Sequence, residues 1–448
     1  MEQPNITSDG AAALTPVFWV LVALTGVAAG LFGDLMMVIL FNVQYLAFGY
    51  HTGSFQAGVE HAPAVRRVSS LLVAGVFGGV SWFVLRRYTQ GEQSEIDEAV
   101  WHGDGRLSLR RCLGTAVISE VVIGMGASLG REAAPKLLGG ASASVLAGWA
   151  GLSVQQRRLL VACGGGAGLA AVYNVPLGGA LFTAEVLYGT VSLPVILPAL
   201  ACSCIATATA WIYLPAHATY AGIPDYRFSA SLLIWSLLAG PVIGVISSGY
   251  IRLIGWVSHY RATGRKVLFA PVLAFGVLGI VSIRYPELLG NGKDMAAGAF
   301  LGLGSFSLLL ALSALKPLVT ALCLGSGASG GLFTPTLSTG AVLGGFLGMA
   351  WSLAWPGSPA GAYAMIGAAA MIGAAMQAPL AALALVLELT GSGFGLMVPM
   401  MAATVTATAV AFYIDGYSIY SARLPSRPAG WRSAGTAAPP GEQPPPSS

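Results

Sequence analysis

The chain has 448 residues, of which 55% are apolar and only 9% are charged, and its mean hydropathy is +0.74. A soluble domain carries about a quarter charged residues, so this composition excludes an ordinary soluble protein and predicts a membrane protein. The net charge of +4 is small and scattered, which argues against nucleic acid as a partner.

Residues 1–16 are largely polar or small and contain no Lys or Arg, so they do not read as a secretory signal and we expect a cytoplasmic segment. Hydrophobic sequence runs with short breaks from about Val17 to Asp415. The break at 86–111 holds five arginines and should face the cytoplasm by the positive-inside tendency. Residues 425–448 are rich in Pro, Gly and Ser and are expected to be disordered.

Polar motifs within the hydrophobic part occur twice. The segment 130–141 lines up with 330–341, with matches at Gly130/Gly330, Pro135/Pro335, Leu137/Leu337, Gly140/Gly340 and Ala141/Ala341. Pro176 precedes Glu185 by the same spacing that separates Pro379 from Glu388. The pattern predicts two repeat halves, about 68–215 and 229–424, an arrangement in which transporters bind substrate near the midplane at broken helices.

Glycine clusters lie next to several of these motifs, for example at 124–126, 164–166, 290–292 and 325–331. Each cluster precedes or interrupts an apolar run, so each can end one helix and expose the first turn of the next. Free backbone N–H groups at helix starts attract anions without a dedicated cation. The sequence therefore favours an anion as the substrate.

Three short motifs also carry a family resemblance: Gly130-Arg131-Glu132, Gly331-Leu332-Phe333-Thr334-Pro335 and Tyr420-Ser421-Ala422. They resemble, in that order, the GREGP, GxFxP and pore-tyrosine segments of the chloride channel (CLC) family of anion channels and proton-coupled anion exchangers. The resemblance spans about residues 17–424. It implies an all-α polytopic membrane protein with an inverted repeat of tilted and broken helices, embedded in lipid as a homodimer with one anion pathway per subunit.

The resemblance also implies residues that contact the anion, with three departures from the family pattern. Those residues are Arg131, Ala133, Leu332, Phe333, Tyr420 and, at the position expected for the pore serine of a GSGIP signature, Gly91. Ala133 replaces a signature glycine, and Gly91 supplies no hydroxyl, so we expect weak anion binding and poor discrimination among chloride, bromide and nitrate. Val186 occupies the position at which exchangers carry an internal proton-handling glutamate.

Glu132 is the strongest candidate for a gate. A carboxylate inside a membrane protein is costly unless it is partnered, so intramembrane acids are functional candidates. We expect the N–H groups at the start of the following helix to hold this carboxylate as they would hold chloride. Glu132 would then block the anion site when charged and release it when protonated or displaced.

The other ionisable residues divide into structural and functional candidates. Glu185 and Glu388 occupy equivalent places, which favours a shared role in holding helix ends. Glu120 and Glu185 are candidate proton-path residues, although a satisfied buried acid is the simpler interpretation of Glu120. Lys136 and Lys316 more often satisfy helix C-termini or extend to the membrane surface than line a pore.

The function that these features favour is passive conduction of chloride through a channel gated by Glu132, in a prokaryotic inner membrane. The alternative is proton-coupled anion exchange. A membrane-embedded enzyme is disfavoured because no pair of His residues has the spacing of metal ligands. We expect no cofactor and no metal.

Overall fold

The computed structural model describes residues 14–424, and within that range the chain forms seventeen α-helices and no strand. Most of the expected cytoplasmic segment 1–16 and all of the expected tail 425–448 lie outside the described residues. The first nine helices are α1 Pro16–Phe48, α2 Phe55–His61, α3 Ala64–Tyr88, α4 Ile96–Trp101, α5 Leu109–Gly124, α6 Ala133–Trp149, α7 Val154–Tyr173, α8 Pro176–Phe182 and α9 Leu193–Ala210. The remaining helices are α10 Ala230–His259, α11 Ala270–Arg284, α12 Lys293–Phe300, α13 Phe306–Gly325, α14 Phe333–Trp351, α15 Ala360–Met376, α16 Pro379–Thr390 and α17 Met397–Ile414.

Short irregular helices join several of these elements. Residues Thr183–Tyr188 continue α8 as a π-helical turn, and 3₁₀ turns cover Gly264–Leu268, Pro286–Leu288, Phe394–Leu396 and Ser421–Arg423. Helices that are broken in this way expose backbone donors and acceptors inside the protein, where they line cavities instead of lipid.

Seven helical segments of the described chain are long and apolar enough to cross a membrane. Their outward faces carry exposed Val, Leu and Ile side chains, as on α3, α10 and α11. By contrast, α15 is buried along nearly its whole length and α7 along most of it. A helix that is apolar and buried on every side belongs at the centre of the protein, so α7 and α15 form the core around which the other helices pack.

The two central helices end in the same unusual way. Asn174 closes α7 with φ 57°, and Gln377 closes α15 with φ 54°. They are the two non-glycine residues with positive φ in the described part of the chain. In both places a proline follows two residues later and begins the next helix, α8 or α16. A left-handed residue stops the helix and Pro at N1 starts another without losing a needed donor.

The inverted repeat predicted from the sequence is confirmed. Helix α6 packs on α7 as α14 packs on α15, and α8 lies against α16. The two halves also meet at a reciprocal backbone pair, in which the N–H of Gly130 donates to the carbonyl of Gly331 and the N–H of Gly331 donates to that of Gly130, both at 2.7 Å. This pairing brings the starts of α6 and α14 together in the middle of the protein.

Candidate functional site

The Glu132 carboxylate lies where the two halves meet, and its residue is only 2% exposed. The backbone N–H of Phe333 donates to one carboxylate oxygen at 2.8 Å. The Thr334 hydroxyl donates to the other oxygen at 3.0 Å, and the Tyr173 hydroxyl donates to it at 3.2 Å. The positive end of α14 and two hydroxyl groups therefore hold this carboxylate, which is the donor set that a small anion would need.

The partner of Glu132 differs from the one expected from the sequence. We expected the start of the following helix, α6, but the donor comes from α14 in the other half. The reason is the backbone of Glu132, which has φ −70° and ψ −17° at the N-cap position of α6 and makes no side-chain cap. An N-cap side chain usually reaches its own helix from an extended backbone, so this one points across the repeat interface instead.

Glycines on both sides leave the space that the carboxylate occupies. A Cβ atom added to Gly130 or to Gly331 would overlap the Glu132 carboxylate. Any larger residue at either position would therefore force the carboxylate out of this place.

A cavity of about 290 Å³ has Glu132 in its lining. The lining also includes Arg86, Arg111, Arg261 and Arg423, so we call it the inner cavity, after the side on which the positive-inside tendency places arginines. Three residues expected from the sequence to contact the anion, Ala133, Leu332 and Tyr420, line it together with Glu132. Cationic side chains outnumber acidic ones in this lining, which raises the local concentration of anions.

The inner cavity contains Ser94 but not Gly91, which corrects our expectation for the pore-serine position. Gly91 lies in an exposed turn with φ 76°, and a Cβ added there would meet nothing within 4 Å. Ser94 lines the cavity, and its hydroxyl oxygen accepts a hydrogen bond of 3.1 Å from Arg111, so its own hydrogen can point at an anion. The expectation of poor discrimination among anions depended on the absence of a hydroxyl at the pore-serine position, and Ser94 supplies a hydroxyl to the cavity.

A second cavity of about 260 Å³ lies at the other end of α3 and is called the outer cavity. Residues just before α3, such as Ser54 and Phe55, line this cavity, whereas Arg86 near the end of α3 lines the inner one. Arg131 lines the outer cavity and the adjacent Glu132 lines the inner cavity. The two adjacent residues therefore lie between the two cavities.

Arg131 does not neutralise Glu132 directly. Its guanidinium carbon lies 5.0 Å from the centre of the Tyr173 ring and 5.9 Å from that of Phe41, and its Nε has no hydrogen-bond partner. Arg131 is 5% exposed. A buried cation held by aromatic faces attracts anions to the outer cavity without competing for the donors that hold Glu132.

Comparison with known proteins identifies the family to which the chain belongs. Residues 72–412 match the family model described as voltage gated chloride channel. The chain belongs to this chloride channel (CLC) family. The match covers well over half of the sequence, and the seven apolar helical segments agree with a multi-pass integral membrane protein.

Individual relatives and a solved structure show where the chain lies within the CLC family. A ClcB-like chloride channel protein of Ralstonia nicotianae is 31% identical over 389 residues, covering 83% of this chain and 89% of the relative. An H⁺/Cl⁻ exchange transporter ClcA of Yersinia pestis is 31% identical over 318 residues, covering 67% of this chain and 65% of the relative. A slow cyanobacterial Cl⁻/H⁺ antiporter has the same fold, with a TM-score of 0.79 at 24% identity over 91% of this chain and 97% of that one. The bacterial relatives agree with the expected prokaryotic inner membrane.

Glu185 and Glu388 hold helix ends across the repeat of this CLC protein. The Glu185 carboxylate accepts hydrogen bonds from the N–H groups of Leu380 and Ala381 at the start of α16, at 3.2 and 2.6 Å. Glu388 accepts from Leu177 and Gly178 at the start of α8, at 3.0 and 2.6 Å. Each acid thus accepts hydrogen bonds from a helix start in the other half of the repeat. This is the shared role in holding helix ends that the sequence favoured. The proton-path role of Glu185 stays a prediction.

Glu120 differs from the satisfied buried acid that was the simpler expectation. It is fully buried on α5, and neither carboxylate oxygen has a hydrogen-bond partner in the described part of the chain. Lys316, by contrast, is satisfied, since its ammonium donates to the Ser128 hydroxyl at 2.8 Å and to the carbonyls of Gly290 and Leu288 at 2.9 and 3.3 Å. Of these two buried ionisable groups, Glu120 is the one without a structural explanation.

Sequence reasoning missed two residues of the inner cavity, Ser94 and Lys136. Ser94 and Ile96 keep the spacing of the serine and isoleucine in GSGIP, and this spacing is the signal that could have found the pore serine. Lys136 was assigned a structural role, but it lines the inner cavity with Glu132 and Tyr420. The described residues contain no cluster of His, Cys, Asp and Glu that could hold a metal.

Proposed function

We propose that this CLC protein exchanges a small anion, chloride in the first place, for protons. The observation that carries the proposal is that the Glu132 carboxylate occupies the donors at the start of α14. A group that competes with the anion for one site, and that can also take up a proton, links the two ions. The Yersinia pestis relative named as an H⁺/Cl⁻ exchange transporter supports this choice.

The exchange follows from competition at the N–H of Phe333. With Glu132 ionised, its carboxylate fills the site and closes the route between the two cavities. An anion that enters from the inner cavity can displace the carboxylate, because its charge is satisfied by the same amide and hydroxyl donors. The displaced carboxylate takes up a proton more readily once its hydrogen bonds are lost. Each cycle then moves the proton and the anion in opposite directions.

We assign the proton transfer on the inner side of Glu132 to Glu120. Thr115, five residues before Glu120 on α5, lines the inner cavity, and five residues rise by about 7.5 Å along a helix. Between them, the Ser119 hydroxyl donates to the carbonyl of Ser329, another residue of the cavity lining. A proton would leave the protonated Glu132, bind to Glu120, and pass to water in the inner cavity.

Passive anion conduction is the second candidate. One observation favours it: Val186, at the position of the family's internal glutamate, is only 3% exposed and cannot carry a proton. The Ralstonia nicotianae relative is named as a chloride channel protein. In that case protonation of Glu132 would open the site without net proton transport.

Flux measurement in liposomes separates the two candidates. The purified chain is reconstituted, a chloride gradient is imposed, and chloride and pH are recorded together. The exchange proposal expects proton movement against its own gradient, abolished by Glu132→Gln, while chloride continues to flow. Chloride flux without any coupled proton movement would contradict exchange and support the channel.

We also propose a homodimer. Helices α8 and α16 lie side by side, and Leu177 and Leu380 on them are 47% and 48% exposed. With 7 and 12 residues, α8 and α16 are too short to cross a bilayer, which takes about 20 residues, so their exposed leucines suit contact with protein better than the sides of the membrane-crossing helices do. Light scattering on the detergent-solubilised protein should give twice the mass of one chain, and Leu177→Trp together with Leu380→Trp should reduce it to one.

A further inference from the structure

We propose that Lys136 is an anion-binding residue of the inner cavity, which gives this protein a cationic inner anion site. The proposal rests on the proposed function in that it names a group that holds the transported anion. Lys136 follows Glu132 by one helical turn on α6, and it lines the inner cavity with Ser94 and Tyr420. The cavity thus brings an ammonium group and two hydroxyl groups together beside the gate.

The position of the Lys136 ammonium is fixed by aromatic rings. Its Nζ lies 4.6 Å from the centre of the Tyr420 ring and 5.8 Å from that of Phe182, and these two rings contact each other edge to face at 6.0 Å. Contact of an ammonium with an aromatic face holds the cation but accepts none of its three N–H groups in a conventional hydrogen bond. Those donors stay available to an anion.

No acidic side chain neutralises Lys136. In the part of the chain that the structure describes, its ammonium has no carboxylate within 4.0 Å and makes no hydrogen bond. The acids of the same cavity lining are Glu95, Asp97 and Glu132. Glu95 lies 3.9 Å from Arg261, and the Glu132 carboxylate is held by the Phe333 amide. A cation that lines an open cavity without a counter-ion attracts a small anion from solution.

The arrangement explains why a lysine, and not a neutral residue, stands one turn after the gate. Before it displaces the Glu132 carboxylate, the anion must bind on the inner side of the gate. The Lys136 ammonium compensates the negative charge of the anion while it is bound there. Ser94 adds a hydroxyl donor, since its oxygen already accepts from Arg111. Removal of Lys136 should therefore weaken anion binding more strongly than removal of a more distant surface charge.

The test is chloride binding to the full chain in detergent, measured by calorimetry, for Lys136→Gln and for Lys266→Gln. Lys266 is exposed on the same side of the protein, two residues after Gly264 of the cavity lining, so its substitution removes the same charge without touching the site. A charge-assisted hydrogen bond predicts a loss of about ten- to a hundredfold in affinity for Lys136→Gln. We expect Lys266→Gln to bind chloride as the wild type does.

Chloride affinity of Lys136→Gln within twofold of the wild type would overturn the proposal, and so would an equal loss in Lys266→Gln, since the effect would then come from net charge. A second measurement needs no variant. Bromide diffused into crystals of the wild type should give an anomalous peak in contact with the Lys136 ammonium, and a peak elsewhere in the cavity would contradict the assignment. If wild-type liposomes move chloride without protons, exchange fails while these binding results still decide the role of Lys136.

Discussion

Replacing Glu132 with Gln tests the gate most directly, because the change keeps the shape of the side chain and removes its charge. Three donors hold the carboxylate, the Phe333 amide at 2.8 Å, the Thr334 hydroxyl at 3.0 Å and the Tyr173 hydroxyl at 3.2 Å. Gln has one acceptor oxygen in place of two, so the Phe333 amide on one side and the two hydroxyls on the other cannot all keep an acceptor. With the weaker bonds of a neutral acceptor, the side chain loses about 3 kcal/mol in all. It should compete with chloride about a hundredfold less well.

Calorimetry and flux together measure this effect. Glu132→Gln should bind chloride more tightly than the wild type at neutral pH, and its chloride flux should no longer depend on pH. Glu388→Gln is the matched control, because it makes the same chemical change at a carboxylate that serves a helix end. A Glu132→Gln protein with the chloride affinity and pH dependence of the wild type would refute the gating assignment.

Four substitutions test other parts of the structure. Gly331→Ala should lower chloride flux in liposome efflux, since its Cβ would lie where the Glu132 carboxylate is held and where the anion replaces it. Glu185→Gln and Glu388→Gln should destabilise the protein by similar amounts, about 1 to 3 kcal/mol each, in thermal unfolding, because each weakens two hydrogen bonds to a helix start; unequal effects, or loss of proton coupling only in Glu185→Gln, would return Glu185 to the proton path. Glu120→Leu should abolish proton coupling yet keep chloride flux and raise the melting temperature, because it removes a buried carboxylate without a partner; retained coupling would exclude Glu120 as the proton carrier.

The repeat, and Glu132 as the candidate gate, stand out in the sequence because their signals are local. Matching Gly and Pro positions reveal the two halves, and a carboxylate in an apolar run stands out wherever it points. The partner of Glu132 was not predictable, since it depends on the helical backbone of Glu132, which aims the side chain away from its own helix. Lys136 was misjudged for a similar reason, because spacing alone does not say which face of α6 borders the cavity.

The expectation for Gly91 shows a different limit of prediction from sequence. The signature around the pore serine is so degenerate that two alignments, with Gly91 or with Ser94 at the serine position, compete. The spacing of Ser94 to Ile96 favours the second, but only the cavity lining shows that the hydroxyl reaches the pathway. A weak motif therefore needs a geometric test before selectivity is inferred from a missing residue.

The gate arises because a nearly symmetric fold carries an asymmetric sequence. The repeat places the starts of α6 and α14 face to face, joined by Gly130 and Gly331. At equivalent positions the first half has Glu132 and the second has Leu332. Two glutamates would set like charges against each other, and two leucines would leave the helix start open to anions without a competing group. In the proposed function, one acid on one half gives an anion site that is filled, until it is displaced, by a group of the protein itself.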